Sequence, residues 1–139
     1  MIYKDYKGTT PKYKASLWNS SGSILNPLTA FTKIIVKIYN LESDVMLIKF
    51  SSGTPPAGYY PLTLSSTQIT WAIPASVSAS AESGINRVEI WVYYTDSDIP
   101  VEGVGRECYS STLNEFIDSE HDVTTTSGPT TTGVPTTTA

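Results

Sequence analysis

The chain has 139 residues, 40% apolar and 16% charged, with a net charge of −4 and a pI near 4.8. That length suits one ordinary domain with a single packed core and a tail, and the low charged fraction leaves a Ser-, Thr- and Tyr-rich surface suited to packing against neighbours. The acidic balance argues against nucleic acid as a partner, because the nine Lys and Arg are scattered, with Lys33, Lys37 and Lys49 the nearest thing to a group, read as covering the solvent faces of strands.

Residues 1–11 read as an extended N-terminal arm ending at Gly8-Thr9-Thr10-Pro11. The first residues lack the apolar stretch of a signal peptide. No apolar run of about eighteen residues follows, so no membrane contact is expected. Cys108 is the single cysteine, which excludes an intrachain disulfide. Together these features predict folding in a cytoplasm.

A first strand is predicted from Lys12 to Trp18, with Tyr13, Ala15 and Leu17 on one face. Asn19-Ser20-Ser21-Gly22 is a turn by composition, and Asn26-Pro27 is a second break. Lys33 to Asn40 alternates as a strand, and Val45 to Phe50 follows as its hairpin partner. Gly53-Thr54-Pro55-Pro56-Ala57-Gly58 is a rigid loop. Tyr60 to Leu64 and Gln68 to Ile73 are two short strands, and Pro74 to Ser83 is read as a loop because it lacks a sustained apolar face. Ile85 to Thr95 is the central strand, with Val88, Ile90, Val92 and Tyr94 on one side and Arg87, Glu89, Trp91 and Tyr93 on the other. The chain then returns from Ile99 to Leu113, with a bulge expected at Gly103 and Gly105.

Strands at this spacing predict an all-β fold, an immunoglobulin-like antiparallel β-sandwich over residues 12–117, with barrel closure left open. Residues 118–139 form a Thr/Pro/Gly-rich C-terminal arm. In it Thr-Thr-Thr recurs with a six-residue period and Pro129 and Pro135 stand in register. Such a segment buries no core of its own. It is either a linker or stalk, or an arm that orders on a partner.

The search for chemistry yields no catalytic, cofactor-binding or metal-binding residue, so the chain is read as a non-enzyme. His121 is the single histidine and lies in Asp118-Ser119-Glu120-His121-Asp122, a polar boundary read as solvated linker. Glu89, Glu102 and Glu107 show no spacing that singles out a carboxylate pair. Gly103-Val104-Gly105 is too short for a phosphate loop. Cys108, with only Arg106 as a basic neighbour, reads as a half-buried strand residue. The serious competitor is aromatic: Tyr59, Tyr60, Trp71, Trp91 and Tyr93 supply enough rings for a sugar-stacking platform, although such residues more often pack in cores or interfaces.

Tyr6-Lys7-Gly8-Thr9-Thr10-Pro11, then Leu62-Thr63-Leu64-Ser65-Ser66-Thr67 with Trp71 after it, then Arg87-Val88-Glu89-Ile90-Trp91-Val92, resembles small tailed-phage virion structural proteins. The same residues resemble the immunoglobulin-like N-terminal domain of phage baseplate upper proteins. The threonine-proline tail departs from the baseplate pattern and turns the comparison toward head decoration and head-fibre proteins. The resemblance covers roughly residues 6–117 through short motifs. It implies a virion location, major capsid or other virion proteins as partners, a homo-oligomer and assembly in a bacterial host. A tail or baseplate adaptor and a carbohydrate-binding or adhesive module are the alternatives.

Overall fold

The computed structural model describes residues 3–99 and 103–118. Its strands are β1 (Tyr3–Tyr6), β2 (Lys12–Ala15), β3 (Lys33–Asn40), β4 (Met46–Ser51), β5 (Tyr60–Pro61), β6 (Thr63–Leu64), β7 (Ile69–Ala72), β8 (Gly84–Thr95) and β9 (Val104–Ile117). One short helix, α1 (Ala75–Ala79), joins β7 to β8. The fold is mostly β. A six-stranded sheet runs β1-β9-β8-β3-β4-β5, and a three-stranded sheet runs β2-β7-β6.

Strand β8 organises the larger sheet, pairing with β3 on one side and β9 on the other. Its alternation places Val88, Ile90 and Val92 in the core, each at 5% exposure or less. Ile34, Val36 and Ile38 of β3 and Ile48 and Phe50 of β4 extend that apolar layer. Against it the smaller sheet sets Ile69 and Trp71, with Tyr13 and Ala15 half-buried beside them. Each fully buried aliphatic side chain contributes roughly 1.5–3 kcal/mol, so the layer between the two sheets is what holds them together.

Local chemistry shapes the connections. In the β3–β4 turn the Asn40 side-chain oxygen accepts hydrogen bonds from the backbone N–H groups of Glu42 and Ser43, at 3.0 and 2.9 Å. Asp44 then takes the left-handed conformation that closes the hairpin. The predicted pairing of these two strands is therefore observed.

Other expectations are corrected. The single strand expected from Tyr60 to Leu64 is two: β5 pairs with β4 in the larger sheet, and β6 pairs with β7 in the smaller one. The chain changes sheets at Leu62. The loop expected over Pro74–Ser83 contains α1, with Pro74 at its start. Ser78 fixes this turn from outside, because its hydroxyl donates to the Thr9 carbonyl at 2.6 Å and accepts from the Gly8 N–H at 3.0 Å. The first strand stops at Ala15, short of the predicted Trp18.

The bulge is also elsewhere. Asn86 pairs with Asn114 but Arg87 pairs with Thr112, which leaves Leu113 as the extra residue of β9. Gly105 instead stands in regular pairing opposite Tyr94. The tyrosine ring lies over it so closely that a Cβ there would come within 2.5 Å of ring carbons. Glycine serves as the seat for a ring, not as a bulge.

The N-terminal arm, where described, is extended and lies on its own domain. Tyr3–Tyr6 pair in parallel with Asn114–Ile117. The Thr/Pro-rich arm beyond Asp118 lies outside the described residues.

Candidate functional site

The two sheets differ in width, and the mismatch generates an open flank. Strand β2 is an edge of the smaller sheet, with β7 on its one paired side. Strand β9 meets β1 only beyond the bulge, so among the described residues its outer edge from Val104 to Leu113 carries no strand. On the core-facing side of that stretch stand Glu107, Tyr109 and Ser111, opposite Val92, Ile90 and Val88. The partners on β8 are buried, whereas Glu107 and Ser111 are exposed and Tyr109 is half-buried. The bulge explains the switch: beyond it the inward positions become Asn114 and Phe116, both fully buried.

Between β2 and this part of β9 lies a cleft of about 370 Å³. Tyr3, Tyr13, Leu17, Trp18, Tyr109 and Leu113 line it, and Val88 and Ile90 form its floor. Trp18 stands 55% exposed at its rim. A wider depression of about 820 Å³ continues past Trp18 toward Phe31, Tyr94 and Glu107. The flank is therefore apolar, aromatic and bordered by a bare strand edge.

A buried polar cluster closes the other end of β9. Asn86 donates to the Asn114 side-chain oxygen at 3.1 Å, and the Asn114 amide donates to Asp5 and to the Tyr13 hydroxyl, each at 2.8 Å. Tyr13 in turn donates to the Asp5 carboxylate. Burial first, and then the bond to Asp5 and its charge, push the Tyr13 phenol far above its ordinary range. One side chain of β1 thus ties both sheets together. Sequence reading missed this cluster because its members are 5, 13, 86 and 114 in the chain. A buried polar residue also interrupts no alternation pattern when it lies at a strand end.

The outer face of the larger sheet carries Arg87, Glu89, Trp91 and Tyr93, as the alternation of β8 predicts. Trp91 is held on three sides. Its indole N–H donates to Glu89 at 3.2 Å, while the Arg106 guanidinium and the Lys37 ammonium lie 5.1 and 5.8 Å from its ring centroid. Tyr39 donates to the other Glu89 oxygen at 3.1 Å. Desolvation, then Glu89, raises the Tyr39 phenol above its usual value. Lys33 sits 4.6 Å from the Tyr93 ring and Lys49 4.6 Å from the Tyr59 ring.

The structure disperses the five aromatics considered for sugar stacking. Trp71 is 3% exposed in the core, and its indole N–H has no hydrogen-bond partner among the described residues. Tyr60 packs against Phe50, with ring centroids 6.2 Å apart. Trp91, Tyr93 and Tyr59 share the outer face, but each ring already carries a cation of the protein, which a stacked sugar would have to displace.

The remaining candidates do not converge. Glu89 stands on the outer face, and Glu107, opposite the core residue Val92, stands on the other. Glu102 and His121 lie outside the described residues, while Asp118 is exposed and bridges to Lys7 at 3.2 Å. Cys108, expected to be half-buried, is exposed opposite Trp91. Partial desolvation, then the nearby Glu89 charge, raises its thiol pKa against the weaker opposite pull of Lys37 and Arg87, the reverse of what activates a nucleophilic cysteine. No protein-family model, curated protein or solved structure matches this chain.

Proposed function

We propose that the chain is a non-enzymatic structural subunit of a tailed-phage virion, a capsid-decorating or head-fibre component, which joins its neighbours through the open flank along β9. The observation that carries this reading is the bare edge from Val104 to Leu113 beside an aromatic cleft. Natural sheets guard a long edge with lysine, proline or a covering element. This edge has neither Lys nor Pro; its charges are confined to Arg106 and Glu107, and the exposed stretch that follows, Cys108, Ser110, Ser111 and Thr112, is uncharged. A strand from a partner would satisfy its backbone groups while side chains enter the cleft, the mode of recognition by strand addition.

An immunoglobulin-like fold is part of the proposal, and the strand order supports it. Read as A′-G-F-C-C′, the larger sheet has β1, β9, β8, β3 and β4 in the positions of a variable-type domain, whereas β5 runs parallel to β4 and so departs from the antiparallel C″. The smaller sheet, β2-β7-β6, reads as B-E-D. The position next to β2, where strand A lies in such domains, has no strand among the described residues. The inter-sheet disulfide of antibody domains is impossible with one cysteine. The virion setting is supported by the sequence resemblance alone.

The test is compositional. In purified particles the polypeptide is expected at fixed stoichiometry, with chemical cross-links from Val104–Leu113 to a neighbouring subunit. Labelling on the tail instead of the head makes it an adaptor, and absence from particles defeats the proposal.

A further inference from the structure

The nine cations look scattered along the sequence, yet the fold gathers five of them. Lys33 and Lys37 of β3, Lys49 of β4, Arg87 of β8 and Arg106 of β9 all stand on the outer face of the larger sheet. Their register fixes this: Lys49 is opposite Lys37, Lys37 opposite Glu89, Arg87 opposite Tyr39, and Lys33 and Arg106 flank Tyr93. In these rows Glu89 is the one carboxylate, and Trp91 and Tyr39 occupy both of its oxygens. Among the described residues none of the five cations is in an ion pair. Lys37 and Lys49 directly oppose each other on neighbouring strands, an arrangement that costs stability unless an anion offsets it. A chain of net charge −4 has thus concentrated positive charge on one flat aromatic face.

We infer that this face is a docking surface for the acidic segment Asp118–Asp122 of a second copy of the chain. The segment has three carboxylates in five residues, Asp118, Glu120 and Asp122. The length of chain available limits how much of its own domain's face it can span. Ser110 is the β9 residue level with Glu89, and Asp118 lies eight residues further along, ~26 Å at strand rise. Asp122 extends at most ~14 Å from Asp118, so within one copy only Arg87, level with Thr112, comes near these carboxylates, and Lys33, Lys37, Lys49 and Arg106 meet them between copies. A long polyanion such as nucleic acid fits less well, because the rest of the molecule is acidic and repels what overhangs the face. The inference rests on the assembly reading above and adds to it a salt-sensitive contact, carried chiefly by the lysines of β3 and β4, which lie off the β9 edge.

The full-length chain supplies the test. Mass should be measured by light scattering across concentration in ~50 mM and ~500 mM salt, between which the screening length falls from more than 10 Å to under 5 Å. One variant combines Lys33→Glu, Lys37→Glu and Lys49→Glu, all off the β9 edge. A second combines Glu120→Lys and Asp122→Lys, leaving Asp118 on Lys7. Circular dichroism checks that both fold. The expected result is wild-type self-association at low salt, lost at high salt, lost at least tenfold in apparent affinity in either variant, and restored when the two variants are mixed. Association that survives salt and both reversals overturns the inference while leaving assembly intact. So does loss in the first variant alone, which would move the docking anion elsewhere, and so does wild-type binding to heparin or single-stranded DNA without self-association.

Discussion

Replacing Tyr13 with Phe removes one hydroxyl from the cluster that fastens β1 to the domain. That hydroxyl donates to the Asp5 carboxylate and accepts from the Asn114 amide at 2.8 Å. A hydrogen bond to a charged group contributes about 1.5–3 kcal/mol. Asn114 keeps its own bond to Asp5 in the variant, so the lower part of that range, about 1.5–2 kcal/mol, is expected at pH 7. The pH dependence follows from the raised phenol pKa, caused first by burial and then by Asp5. The folded state holds the proton more tightly. Its contribution is therefore complete below the unfolded value near 10 and is lost as pH rises above it. A fully shielded group would lose about 1.4 kcal/mol by pH 11; Tyr13 is partly exposed, and screening reduces this to about 1 kcal/mol. The variant lacks the group, so the stability gap should shrink to under about 1 kcal/mol at pH 11. Urea unfolding at both pH values, followed by tryptophan fluorescence, reads the gap directly, because the other tyrosines titrate in both proteins and cancel. Equal midpoints at pH 7, or a gap that does not change with pH, would refute the reasoning.

Gly105→Ala should swing the Tyr94 ring off β9, at a cost of about 1 kcal/mol, and Tyr94→Ala in the same chain should remove the penalty; an unchanged melting temperature would contradict the packing at this pair. Trp91→Ala strips the cover from Ile35 and releases two cations, and should cost about 2 kcal/mol, of which Trp91→Phe recovers at least half. Cys108 should react with iodoacetamide at pH 8 more slowly than the same thiol in the urea-unfolded chain, since its folded pKa is raised. A faster folded-state reaction would reverse the electrostatics assigned to that site.

What the sequence made legible was the alternation of long strands. In β3 Ile34, Val36 and Ile38 and in β8 Val88, Ile90 and Val92 fall at every second position, and both the strands and their faces follow from that period. The short elements were opaque because tertiary contacts create them. Tyr3–Tyr6 has no alternation and becomes a strand only because Asp5 bonds to Asn114, 109 residues away. The five-residue α1 has weak local signals and depends on Ser78 holding Gly8 and Thr9. Tyr60–Leu64 reads as one strand, and only the stacking of two sheets shows that it serves both. The functional surfaces were hidden for a related reason. Trp91 and Tyr93 were visible as a pair, but the cations beside them come from two other strands, β3 and β9, and meet only through register. The bare edge of β9 reflects where β1 stops, which no local pattern records.

Hydrogen exchange along β9 tests the central claim most directly. In the isolated chain the outward-facing amides between Val104 and Leu113 should exchange within seconds, while those bonded to β8 are protected. In intact particles the outward-facing amides should become protected by at least a hundredfold. Fast exchange at those amides in particles that contain the protein would show that the edge takes no partner and that assembly proceeds by another route.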